Sequence, residues 1–214
     1  MILSVRLEGW REMRIYVPIV LEGQEWVLPK IAEDNHILMD LRGQRQIHWT
    51  PLRMEFLTES EDGTRLGYSD FPWYGEHVLI LRRAALKRLQ RTMAPYGEFL
   101  SLGGGDGLEL FNATTELDAL DEDRSQIVRY QDGDIMVIER YALRREAIGN
   151  ALIFKLPYRA SSLYVQAPFA EQIGAMGLSG IGFKLVWSDE IDPVPQITIP
   201  PRNPTFAKRR WWPF

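Results

Sequence analysis

The chain reads as an α+β protein, mostly antiparallel sheet with a few short helices and a β-rich N-terminal part. Three observations predict this class. Apolar runs of strand length, bounded by turn residues, recur from about residue 14 to residue 187. Two of the joins, Asp62-Gly63 and Asp132-Gly133, are dipeptides that favour tight turns between antiparallel strands. The clearest helical repeat is a single window, about Leu81 to Met93, with Leu81, Ala85, Leu89 and Met93 four apart on one stripe.

Composition bounds the rest. At 214 residues the chain can bury one sizeable core, or a large domain with a smaller appendage. Its 45% hydrophobic and 25% charged residues are ordinary for a globular protein, and no apolar run has the length of a membrane span. The opening MILSVRLEGWREMR carries charges where an export signal needs an apolar stretch. There are no cysteines, so disulfides and thiolate chemistry are excluded, and a cytoplasmic location is expected. The net charge of −4 hides an asymmetry: Arg202, Lys208, Arg209 and Arg210 face no acid in residues 202–214, which leaves −8 on the remainder. An acidic body argues against nucleic acid as partner and for a basic protein, because the long-range field steers opposite charge toward it.

Taken in order, Arg14–Glu22 and Trp26–Leu28 read as two strands, with Pro18 marking a sheet edge or a bulge. His36–Leu41 reads as a third strand and Met54–Thr58 as a fourth. These make residues 1–68 a β-rich N-terminal subdomain. Ser69–Gly75, SDFPWYG, is a connector broken by Pro72 and Gly75. Beside the stripe of the 81–93 helix lie Arg82, Arg83, Lys87, Arg88 and Arg91. With no aromatic platform among them, they read as a solvated face. Glu98–Leu102 and Leu108–Phe111 form a hairpin across Gly103–Gly107, GGGDG. A flexible turn fits this loop better than a phosphate cradle, since a strand rather than a helix follows it.

Phe111–Tyr130, FNATTELDALDEDRSQIVRY, is predicted to end a strand and then open a short helix. Thr115 stands three residues before Asp118 in a capping pattern, with Leu117 and Leu120 facing inward. Ser125–Tyr130 and Asp134–Glu139 make a second hairpin. Arg144–Ile148 is one helical turn, and Ala151–Leu156 and Ser162–Val165 are strands. Pro168 starts a helix ending before Gly177, and Ile181–Trp187 is the final strand. Residues 69–190 thus read as an α+β domain. Five prolines between Pro193 and Pro204 then make residues 191–214 an extended arm ending in KRRWWPF.

Nucleophilic triads and zinc sites find no support. The histidines, His36, His48 and His77, lack helical ligand spacing, and no serine sits in a Gly-x-Ser-x-Gly elbow. The acids Asp118, Asp121, Glu122 and Asp123 admit two readings. Asp118 and Asp121, three apart, can share a hard cation through oxygen ligands, or the group can cap a helix and pair with nearby arginines. Trp73 and Tyr74, between Pro72 and Gly75, read either as interface anchors or as a lid on their own core.

Six pieces, in order, carry a resemblance: DFP at Asp70–Pro72, GEFLSL at Gly97–Leu102, FNATTELDALDEDRS at Phe111–Ser125, GDIMVIERYALRREAI at Gly133–Ile148, IFKLP at Ile153–Pro157 and GLSGIGFKLVWSDE at Gly177–Glu190. The segment from about Asp70 to Asp189 resembles the immunity-protein family numbered eleven of bacterial polymorphic toxin systems. The resemblance implies a non-enzymatic antidote, without cofactor, that binds a cognate toxin encoded by an adjacent gene. A nuclease with a basic substrate groove would suit an acidic inhibitor. The toxin-binding candidates are Trp73, Tyr74, Asp118, Asp121, Glu122 and Asp123. Two alternatives from other classes are a divalent-cation enzyme built on the 118–123 acids and a scaffold module of a secretion apparatus.

Overall fold

Antiparallel pairing builds the architecture seen in the computed structural model, which describes residues 12–105, 107–190 and the strand positions 197–198. With 35% strand against about 20% helix, the fold is α+β and sheet-dominated. The strands are β1 (Arg14–Val20), β2 (Trp26–Pro29), β3 (Met54–Leu57), β4 (Leu79–Leu81), β5 (Gly97–Ser101), β6 (Glu109–Ala113), β7 (Gln126–Arg129), β8 (Ile135–Arg140), β9 (Ile153–Phe154), β10 (Tyr164–Gln166), β11 (Ile181–Ser188) and β12 (Ile197–Thr198). The α-helices are α1 (Asn35–Met39), α2 (Arg83–Met93), α3 (Arg145–Ile148) and α4 (Ala167–Ala175).

The largest sheet runs β12-β11-β1-β10-β9, so the first described strand sits among strands from the last third of the chain. β1 pairs with β11 along its whole length, from Arg14 opposite Ser188 to Val20 opposite Ile181. β10 reaches only Ile15 and Tyr16, so Pro18 lies where β1 has a single neighbour and no second ladder needs its missing N–H. A three-stranded sheet runs β4-β6-β5, and β2-β3 and β7-β8 are two-stranded.

Three apolar clusters hold these layers together. In the first, the α2 stripe Ala85, Leu89 and Met93 meets Phe169 and Ile173 of α4 over Phe111 and Val165. The second packs Ile15, Val17, Phe154 and Tyr164 against Leu120, Ile138, Leu143 and Ile148, beneath the β7–β8 hairpin. The third joins Val27, Leu38, Leu41 and Met54 to Ile80, Leu100, Leu108 and Leu110. Fully burying side chains of this size stabilises by about 1.5–3 kcal/mol each.

Several local expectations change. Residues 115–120 form no helix: bridges at Glu116 and Leu120 flank a tight turn in which Ala119 donates to the Leu117 carbonyl at 2.8 Å. Lys155 donates its backbone N–H to the Thr115 carbonyl at 2.8 Å, Leu117 donates back to the Lys155 carbonyl at 2.9 Å, and Leu120 bridges Leu143. Pairing with neighbouring chain therefore overrides the local capping pattern. His36–Leu41 is not a strand: α1 occupies Asn35–Met39 and carries Leu38 into the third cluster, where Leu41, just past its C-cap, is buried as well. Leu81 ends β4, and α2 begins two residues later, after Arg82 in an extended conformation. The GGGDG loop is anchored where it begins. Met54 donates to the Gly103 carbonyl at 2.9 Å, and a Cβ on Gly104, at φ +112°, would stand 2.2 Å from the Met54 carbonyl oxygen.

The N-terminal residues 1–11 and most of the 191–214 arm, including Trp211 and Trp212, lie outside the described residues. At positions 197–198, β12 pairs with Phe183 and Lys184 of β11. Among the described residues no helix is long and apolar enough to cross a membrane.

Candidate partner-binding surface

The acidic stretch follows β6 and is fixed by its apolar residues. Ala119 and Leu120 are buried, which turns Asp118 on one side and Glu122 and Asp123 on the other out to solvent. Arg144 donates from Nη2 to Asp118 Oδ1 at 2.6 Å and to the Asp118 carbonyl at 2.7 Å. Asp121 is the most enclosed of the acids. Its Oδ1 accepts the Arg124 N–H at 3.2 Å, and its carbonyl accepts the Ser125 hydroxyl at 2.7 Å, closing a turn into β7. Glu122 Oε2 accepts from Arg129 Nη2 at 2.5 Å. Asp123 is exposed and has no partner among the described residues.

Three of the four carboxylates therefore point to separate partners, and the fourth faces solvent, instead of meeting at one centre. Among the described residues no three His, Cys, Asp or Glu side chains converge to hold a metal ion. What lies beside them is a hollow of about 310 Å³ lined by Asp118, Glu122 and Asp134 together with Arg42, Arg129 and Arg159. Its mixed charge makes it a polar seam between the hairpin and the body.

Trp73 and Tyr74 are placed differently from the acids. The backbone of Trp73 bridges Trp26, with Val27 donating to its carbonyl at 2.9 Å, and its side chain is half-buried. Tyr74 packs against the third cluster. Its hydroxyl donates to Asn35 Oδ1 at 3.0 Å, its ring stands edge-on to His77 at 5.5 Å, and burial pushes its hydroxyl pKa up to about 12. The structure brings neither residue into the acidic stretch.

The β7–β8 hairpin carries a feature that the sequence reading did not single out. Ile127, Ile135 and Ile138 pack down on the second cluster. Val128 lies opposite Val137, and Val128, Tyr130, Met136 and Val137 are 39%, 56%, 57% and 46% exposed. Register shifts at Gln126/Ile127 and Val128/Arg129 place two apolar residues of β8, Met136 and Val137, outward together. The available signal was apolar residues at consecutive positions of IVRY and IMVI, where a half-buried strand alternates with polar ones. Arg129, at the turn end of this hairpin, reaches back to Glu122 and, through Nη1, to the Gly133 carbonyl at 2.8 Å.

Other polar groups are sealed inside. Arg82 Nη2 meets Glu25 Oε1 at 2.6 Å with both side chains buried, and the Arg82 guanidinium also stacks over Phe56 and Tyr68. The solvated face expected on α2 thus loses Arg82, because the strand-to-helix junction turns it inward. The hydroxyls of Tyr158 and Tyr164 lie 2.8 Å apart, and Tyr164 donates to Tyr141 at 3.3 Å, with burial raising the pKa of each. Burial lowers Lys155 to about 8 against the opposing pull of Glu116, and lowers His77 to about 4 with help from the Lys155 charge.

Residues 110–187 match the model of an immunity protein family, Imm11. This is the family suspected from the ordered motifs, and the matched segment contains the acidic stretch, the β7–β8 hairpin and most of the largest sheet. The pieces at Asp70–Pro72 and Gly97–Leu102 fall before it. No curated protein matches the chain.

Proposed function

We propose that this chain is an immunity protein that binds a cognate toxin and neutralises it by occupying its surface, without turnover or cofactor. The observation that carries the reading is the family match over residues 110–187. The dispersed carboxylates support it as well, since each is held in a pair, held in a turn or left facing solvent, with none aimed at a common reacting atom. Of the residues singled out in the sequence, Glu122 and Asp123 are assigned to the partner, with Asp118 at the margin. Asp121 and Tyr74 are assigned mainly to their own fold, and Trp73 to a secondary contact.

A toxin with a basic substrate groove, such as a nuclease, fits an acidic antidote. Charge then contributes encounter rate and partner choice, while buried anchors contribute most of the affinity. Co-expression tests this directly. The toxin encoded by the neighbouring gene should kill its host alone, spare it when the full chain is present, and co-purify with that chain. Undiminished killing in the presence of well-expressed, folded protein would reject the reading.

A further inference from the structure

The β7–β8 hairpin presents an apolar face that nothing in the described fold covers. Val128, Met136 and Val137 lie on one short two-stranded sheet and Tyr130 at the start of its turn, and all four are more than a third exposed. Among the described residues neither strand pairs with a third, so the backbone edges are open too. An isolated hairpin is marginal by itself, but this one is held by Ile127, Ile135 and Ile138 on the second cluster and by Arg129 on Glu122. Its outward residues are therefore not needed to hold it in place.

The charge around that face says what can cover it. Residues 121–140 carry Asp121, Glu122, Asp123, Asp132, Asp134 and Glu139 against three arginines. A second copy brought face to face would set two acidic rims against each other, which disfavours self-association. A basic protein surface would meet an apolar centre and an anionic rim, the arrangement common to specific interfaces. A comparable apolar pair, Trp26 opposite Leu57 on β2 and β3, lies outside residues 110–187.

We propose that the outward face of the β7–β8 hairpin is the surface that receives the toxin. What it takes there is a basic protein surface with an apolar centre, seated on Val128, Tyr130, Met136 and Val137 and ringed by Glu122, Asp123, Asp132 and Glu139. The assignment rests on the immunity reading and adds the place and chemistry of contact. Tyr130 and Met136 supply adaptable contact area, and the acids steer the partner and fix its register.

The test is calorimetric titration of the full chain with a catalytically inactive variant of the toxin encoded beside it. Met136→Glu with Val137→Glu should weaken binding by at least 100-fold, with the circular dichroism spectrum and melting curve retained. Should that pair disturb folding, the isosteric pair Val128→Thr with Val137→Thr decides, with a loss of about 10-fold expected. Asp123→Lys with Glu139→Lys, two exposed acids that hold nothing of the hairpin, should slow association and flatten its dependence on salt. Wild-type affinity in the folded face variants overturns the assignment, whatever the fate of the immunity reading. A wild-type chain that neither binds the toxin nor protects against it overturns both. A wild-type dimer that Met136→Glu with Val137→Glu splits, with toxin affinity intact, shows that the face serves a second copy and overturns the assignment.

Discussion

Two ion pairs in this molecule have the same length and opposite consequences. Arg82 meets Glu25 at 2.6 Å with side chains 8% and 7% exposed, whereas Arg144 meets Asp118 at 2.6 Å with side chains 43% and 85% exposed. The first is locked between β2, the Ser69 loop and the start of α2, where Ser69 donates its N–H to Glu25 and accepts from Arg82 Nε, each at 3.0 Å. Taking away one partner strands a charge in the interior. The second is bathed in water, so its attraction is screened and each charge stays solvated if the other leaves. Distance alone says little about what a contact does. Burial decides that the Arg82–Glu25 pair builds the fold and that Asp118, beside the hairpin, stays free to exchange partners.

The contrast can be broken most decisively at its buried end. Arg82→Ala should destabilise the protein by about 3–5 kcal/mol, read by urea unfolding, because Glu25 is left unpaired. A loss below about 1 kcal/mol would place this pair with the exposed ones. Lys155 gives the next effect. It is 3% exposed, and burial lowers its pKa from 10.5 to about 8. Between those values the unfolded chain holds the proton and the folded one does not, so stability rises with pH. Unfolding free energy should climb by up to about 2 kcal/mol from pH 8 to 9.5, and Lys155→Met should remove the slope. Above pH 10 the raised tyrosine values act the other way, because the unfolded tyrosines lose their protons first.

His77 extends the test to acid. Its folded pKa of about 4, below the ordinary 6.5, means that stability is fully present above pH 6.5 and is lost as the pH falls toward 4. His77→Gln should shift the acid midpoint of unfolding to lower pH, provided the amide satisfies its buried surroundings. The smallest effect belongs to the exposed pair. Asp118→Asn should change stability by less than about 1 kcal/mol and leave the melting curve nearly in place. A larger loss would move Asp118 from the exchangeable surface to the structural frame.

Much of the fold was legible because its strongest local cues agree with the tertiary answer. The Asp132-Gly133 turn lies between β7 and β8, the stripe Ala85, Leu89 and Met93 is the buried face of α2, and Pro168 stands in the first turn of α4. Misreadings fell where a local pattern competed with distant partners. The capping pattern at Thr115 is genuine as sequence, but the Lys155 backbone claims both strands' bonding groups there. Arg82 resembled its surface neighbours until Glu25, 57 residues earlier in the chain, supplied a buried carboxylate. For the candidate site, the acids were visible as a cluster, while their separation into Arg144, Arg124 and Arg129 partners was not. The outward apolar face of the hairpin was hinted at by consecutive apolar residues in IVRY and IMVI, but which of them face out depends on register shifts set by the pairing.

The central claim is inhibition by occupancy, and its most direct measurement is a titration of toxin activity with the full chain. Activity should fall in a straight line and vanish at one equivalent, with the toxin recovered chemically intact after dissociation. Inactivation by far less than one equivalent, or toxin left altered once the two are separated, would contradict the account.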